Sequence, residues 1–182
     1  MKKIFLLFLF SNIVFFAKAQ FTNIDLLLIN DSLSYSMDLE EIQRFIKIDS
    51  ITPVPSIMDA SMADSLVFLG SSYLSFYKKG NEEFIELNEP ICMFETIIFD
   101  EKIKSITLDK KNKITTETTF EEIKKIFPSN CQNVKEMSIY GDKTKYKSCS
   151  VGFVSGGLEL DTQLIFFFSD NKVKRIDFWN PT

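Results

Sequence analysis

Two short segments recur in the same order in the two halves of the chain, and no other feature limits its fold as much. At an offset of 81, Asp38-Leu39-Glu40-Glu41-Ile42-Gln43-Arg44-Phe45-Ile46 falls on Thr119-Phe120-Glu121-Glu122-Ile123-Lys124-Lys125-Ile126-Phe127. At an offset of 70, Asp100-Glu101-Lys102-Ile103-Lys104-Ser105-Ile106 falls on Asp170-Asn171-Lys172-Val173-Lys174-Arg175-Ile176. A helix signal followed by a hairpin signal, matched twice, predicts a supersecondary unit copied in tandem. The expectation is an α+β fold of two tandem α-β-β-β-β repeats, residues 20–109 and 110–182. These form one largely antiparallel sheet of about eight strands with the helices on one face.

Each helix signal is short and well punctuated. Asp38 and Thr119 are N-cap residues, and each has a glutamate three positions on, Glu41 and Glu122, the spacing of a capping box. Leu39, Ile42, Phe45 and Ile46 form one apolar stripe, answered by Phe120, Ile123, Ile126 and Phe127. Pro128 stops the second helix, because the residue before a proline avoids the helical region.

Strand patterns follow each helix: Leu66 to Gly70 answers Met137 to Gly141, and Ile85-Glu86-Leu87 answers Leu158-Glu159-Leu160. Asp100-Glu101 and Asp170-Asn171 are turn residues that tolerate positive φ, so each unit should close with a hairpin. The repeats differ most within the first unit at residues 47–65, where Pro53 and Pro55 belong to a longer connection expected to be irregular.

A two-residue turn in the second hairpin sets opposite residues at numbers summing to 341 and alternates faces along each strand. One face then holds Ile165, Phe167, Ile176 and Phe178, joined by Met93, Ile97, Ile106 and Leu108 of the first hairpin. This is the face the helices are expected to cover. The other holds Leu164, Phe166, Phe168, Val173, Arg175, Asp177 and Trp179, with Phe94, Thr96, Ile98, Ile103, Ser105 and Thr107. Aromatics interleaved with arginine and small polar residues are the composition of a docking surface. The expected binding residues are therefore Phe94, Thr96, Ser105, Thr107, Phe166, Arg175, Asp177 and Trp179.

The chain opens with Lys2-Lys3, an apolar run from Ile4 to Phe16, and Ala17-Lys18-Ala19 before Gln20, the layout of a cleavable secretory signal over residues 1–19. The run is shorter than the roughly 20 residues that cross a bilayer. Cleavage would take three lysines from the 21 basic groups and none of the 25 acidic ones, leaving 18 against 25, a net of −7. That balance argues against nucleic acid or an anionic membrane as partner. A periplasmic or secreted chain, with no stable membrane insertion after cleavage, is expected.

Three cysteines in an exported chain predict one disulfide and one leftover thiol. Cys131 and Cys149 lie within the same half and are expected to pair. Cys92, within Ile91-Cys92-Met93-Phe94, reads as a buried small hydrophobe.

The sequence contains no histidine, which removes the usual Ser-His-Asp and Cys-His catalytic sets and histidine metal sites. Gly156-Gly157 is an isolated pair rather than a phosphate-binding motif. No catalytic residue, cofactor or metal is expected.

The capped helix Thr119 to Phe127 before Pro128, and the hairpin ending Lys172-Val173-Lys174-Arg175-Ile176-Asp177-Phe178, give a pattern that resembles the β-lactamase inhibitory protein fold. It is also similar to the helix-then-strands domain of small outer-membrane assembly lipoproteins. The resemblance implies helices on one face of an eight-stranded sheet and a concave protein-binding face on the other. The expected function is that of a non-enzymatic, inhibitor-like protein-binding module. The alternatives are an immunity protein against an exported toxin, a carboxylate-dependent hydrolase, and an envelope-assembly structural protein.

Overall fold

The computed structural model describes residues 20–54, 62–81, 88–132, 134–139 and 142–180. The expected signal segment, the strand at Ile85-Glu86-Leu87 and part of the 47–65 connection lie outside the described residues.

The described chain is mostly β. Its large sheet runs β5 (Ser50–Pro53), β6 (Ser65–Leu69), β7 (Ser72–Tyr77), β8 (Ile91–Ile97), β14 (Lys172–Trp179), β13 (Leu158–Ser169), β12 (Lys145–Ser155) and β1 (Phe21–Asn23). Two further strands share edges, β4 (Ser36–Met37) on β8 and β11 (Lys135–Ser138) on β12. All pairs are antiparallel except β1 with β12, so the sheet is mixed. A small sheet runs β10 (Asn112–Ile114), β9 (Ile106–Leu108), β2 (Leu28–Ile29) and β3 (Leu33–Ser34).

The helices are α1 (Leu39–Phe45) and α2 (Phe120–Ile126), two turns each. Helices this short are marginal alone, so caps and burial hold them. Asp38 accepts the Glu41 N–H at 2.6 Å. Thr119 and Glu122 form a reciprocal capping box. Ile42 anchors α1, and Phe120 and Ile123 anchor α2. Phe45, expected in the apolar stripe, is exposed.

This architecture overturns the expected α+β fold of two α-β-β-β-β units. Among the described residues α-helix is confined to two seven-residue segments, four strands (β1 to β4) and a 3-10 turn at Ile24–Leu26 precede the first helix, and a separate small sheet draws β2 and β9 together. The hairpin expected at Asp100-Glu101 does not form. Asp100 accepts backbone N–H groups from Ser71 at 2.7 Å, Lys102 at 2.8 Å and Ile103 at 3.1 Å. It thereby fixes a loop that turns the chain out of the large sheet and delivers β9 to the small one. Left-handed backbone appears instead at Asp109 and Lys110, in the turn between β9 and β10.

The second hairpin forms as expected, with Asp170 and Asn171 at φ 50° and 63° and Ser169 opposite Lys172. Its register then departs from regular alternation. Phe168 faces Val173 but Phe167 faces Arg175, so Lys174 is an extra residue on β14. Such a bulge exchanges the faces of every residue beyond it.

One continuous core joins the small sheet (Ile29, Ile106, Leu108), the helices (Ile42, Phe120, Ile123) and the large sheet (Phe94, Leu164, Phe166, Phe168, Ile176, Phe178). The ring of Phe120 meets Phe168 edge-on at 5.2 Å, and Phe178 lies between Tyr35 at 4.9 Å and Phe153 at 5.9 Å. The helices therefore cover the face that carries Phe166. This corrects the face assigned to Ile165 and Phe167 on β13, while Ile176 and Phe178 keep theirs because the extra residue shifts β14 by one.

The disulfide joins Cys131, just after α2, to Cys149 on β12, with Cα atoms 5.2 Å apart. Both sulfur-bearing residues are buried in the core, so the bond staples the helical layer to the sheet. Cys92 is buried, and burial followed by the nearby Asp38 charge pushes its thiol up to about 12.

Candidate functional site

A second bulge lies on β8. Leu74 faces Phe94 whereas Tyr73 faces Thr96, which makes Glu95 the extra residue. Cys92 and Phe94 consequently point into the core, and Thr96 points to the opposite, outer face. On the neighbouring strand, the Lys174 bulge turns Arg175, Asp177 and Trp179 to that same outer face, with Thr96 directly across from Asp177. The two extra residues on adjacent strands thus leave these polar groups on one face while Phe94 and Phe166, which regular alternation would place beside them, turn into the core.

These groups form a closed network. Arg175 Nε donates to Asp177 Oδ1 at 2.5 Å, Arg175 Nη2 donates to Thr96 Oγ1 at 3.0 Å, and Thr96 Oγ1 donates to Asp177 Oδ1 at 2.9 Å. Both charged side chains are mostly buried, at 14% and 20% exposure. A charge pair drawn out of water needs such additional hydrogen bonds to offset desolvation. Burial raises the Asp177 carboxyl above its ordinary value, against the opposing pull of Arg175 and Thr96.

Around the network lies a cavity of about 320 Å3. Its floor includes Ile165 and Phe167, which with Ile139 form a small apolar cluster separate from the main core. Tyr73 and Glu95 line it from β7 and β8, Met137 and Ser138 from β11, and Phe178 and Trp179 from the end of β14. Trp179 is 48% exposed, an aromatic surface left accessible at the cavity.

Of the eight expected binding residues, the structure gathers Thr96, Arg175, Asp177 and Trp179. It places the other four elsewhere. Phe94 and Phe166 are fully buried in the core, because the two bulges reverse the alternation. Ser105 and Thr107 leave with the chain toward the small sheet, where Ser105 is buried and Thr107 Oγ1 donates to Asp31 Oδ1 at 2.9 Å. Sequence reasoning missed Tyr73, Glu95, Met137, Ser138, Ile165 and Phe167. The run Leu164 to Phe168 carried a usable signal, since five consecutive buried residues mean that both faces of β13 are covered there.

Among the described residues, no group of three or more His, Cys, Asp or Glu could hold a metal ion. No described helix is long and apolar enough to cross a membrane. The arrangement offers aromatic surface, a fixed polar network and a hollow of about 320 Å3. No family model, curated protein or solved structure matches the chain.

Proposed function

We propose that the chain is an exported, non-enzymatic module that holds another protein against the outer face of its large sheet, in the periplasm or outside the cell. The observation that carries this reading is the exposed Trp179 beside the satisfied Arg175-Asp177-Thr96 network, on the face opposite the helices. Binding energy in protein interfaces concentrates at aromatic and arginine anchors surrounded by groups that exclude water. A signal-like start and a disulfide agree with export. The resemblance to β-lactamase inhibitory proteins stands beside this as an inference from sequence pattern.

The test is capture of partners from envelope and secreted fractions, compared between the native protein and Trp179→Ala and Arg175→Ala variants. Recovery of a defined partner should fall in both variants while the fold is retained. Equal recovery would remove the assignment. An immunity role would appear as rescue of cells from one specific exported toxin, and an envelope-assembly role as co-purification with outer-membrane components.

The hydrolase alternative has one observation in its favour, that Glu95 and Asp177 line the same cavity. It requires turnover of a glycan or ester that is lost in Glu95→Gln. Asp177 Oδ1 is engaged by both Arg175 and Thr96, an arrangement suited to fixing a surface.

A further inference from the structure

We propose that Ser50, on the exposed edge strand β5, is an acceptor site for an O-linked glycan attached after export. The site rests on the export reading above and is independent of what the outer face of the sheet holds.

Three triplets in the chain have the form Asp-Ser-aliphatic: Asp31-Ser32-Leu33, Asp49-Ser50-Ile51 and Asp64-Ser65-Leu66. This form resembles the acceptor pattern of some bacterial periplasmic O-glycosylation systems. An enzyme that reads it on a folded chain must reach the hydroxyl and the aliphatic side chain that follows. The aspartates do not separate the three triplets, since Asp31 accepts from Thr107 Oγ1, Asp49 from the Gly70 N–H and Asp64 from the Lys78 N–H.

The serine and aliphatic positions do separate them. Ser32 is half-buried with its hydroxyl donating to the Asn30 carbonyl at 3.3 Å, and Leu33 is buried in the core. Ser65 is half-buried inside the large sheet, paired with Pro53 on one side and Phe76 on the other, and Leu66 is buried. Ser50 is exposed, its hydroxyl has no hydrogen-bond partner among the described residues, and Ile51 is 48% exposed. Only the middle triplet presents both groups.

The strand adds a second argument. Among the described residues β5 pairs with β6 alone and ends the large sheet. An extended segment with one free edge is the form in which a peptide is bound along a groove of another protein. Natural sheets also shield exposed edges against pairing with other chains, and a bulky, solubilising glycan beside Ile51 would do so here.

The transfer balances without a redox partner. Ser50 Oγ attacks the anomeric carbon of a sugar carried on a polyprenyl diphosphate, supplied with its transferase by the cell. The new carbon–Oγ bond replaces the carbon–oxygen bond to the diphosphate, which leaves with that bond's electron pair, and the hydroxyl proton passes to a base of the transferase.

The full chain, expressed in its own organism, is recovered from cell fractions and mapped by intact-mass and electron-transfer fragmentation mass spectrometry. The exported chain should carry a mass increment of whole sugar residues localised on Ser50. Ser50→Ala and Ile51→Asp should each abolish the increment, while Ser50→Thr, Ser32→Ala and Ser65→Ala should keep it. Circular dichroism matching the native spectrum shows that a loss is not unfolding. An exported chain unmodified at Ser50, an increment on Ser32 or Ser65 instead, or one that survives Ser50→Ala or Ile51→Asp would overturn the site and leave the docking reading untouched. Recovery of the chain only from the cytosol would overturn the site together with the export reading.

Discussion

Arg175 and Asp177, two residues apart on β14, turn to the same outer face, and the Arg175 guanidinium reaches both Asp177 Oδ1 at 2.5 Å and Thr96 on the next strand at 3.0 Å. Two bulges, with Glu95 and Lys174 as their extra residues, flank this network. Each bulge also sends an aromatic residue the other way, Phe94 and Phe166 into the core. The same irregularity that leaves the network on the outer face completes the inner packing.

This division should separate stability from the proposed binding. Phe166→Ala should destabilise the fold by about 3–5 kcal/mol, the usual cost of removing a fully buried phenylalanine. Trp179→Ala should cost no more than about 1 kcal/mol, because the side chain is half exposed. Urea unfolding followed by far-ultraviolet circular dichroism measures both.

Acid should weaken the protein. Hydrogen bonds from Lys113 to Asp31 and from Lys102 to Asp49, and a capping bond from Thr119 to Glu122, hold these carboxyls below their ordinary values. Their stabilisation is present above the unfolded-state values, 3.8 for aspartate and 4.5 for glutamate, and is lost as pH falls through the lower folded-state values. Asp177 has the opposite sign, since burial raises its carboxyl and acidification through that raised value relieves a cost. Urea midpoints measured from neutral pH down to about pH 3 should therefore fall, and fall more steeply in Asp177→Asn.

Reduction should loosen the attachment of α2 to the sheet. Cys131 and Cys149 close a loop with a sequence separation of 18 residues, for which chain entropy alone predicts about 3 kcal/mol. Unfolding with and without dithiothreitol should differ by about that amount, and Cys131→Ser should reproduce the reduced protein.

Gly152→Ala should detach the N-terminal strand. Gly152 pairs with Phe21, and a Cβ at that position would come within 2.6 Å of the Phe21 ring. The ring must move, and with it the parallel pairing of β1. Hydrogen exchange at Phe21 to Asn23 should accelerate well before exchange in β13 changes.

The elements legible in the sequence were those set by local chemistry. The caps at Asp38 and Thr119, the Asp170-Asn171 turn, the Cys131 to Cys149 bond and the burial of Cys92 each depend on a few neighbouring residues or on composition. The global arrangement was not legible, because it depends on two inserted residues whose side chains do not announce them. Glu95 and Lys174 fit ordinary alternation as well as they fit a bulge, yet each exchanges the faces beyond it. Asp100 misled for a related reason. An aspartate that supports a hairpin turn by its backbone looks the same in sequence as one that gathers three N–H groups with its carboxylate. Four of the eight expected residues lie together: Arg175, Asp177 and Trp179 share a face of β14, and Thr96 sits opposite Asp177.

The central claim is that the outer face, and not the helical side, holds a partner. The direct measurement is quantitative mass spectrometry of proteins captured by the native chain, by Trp179→Ala on the outer face, and by Phe45→Ala, an exposed aromatic on α1. The account predicts that a defined partner is lost with Trp179→Ala and retained with Phe45→Ala. Retention with Trp179→Ala, or loss with Phe45→Ala alone, would contradict it.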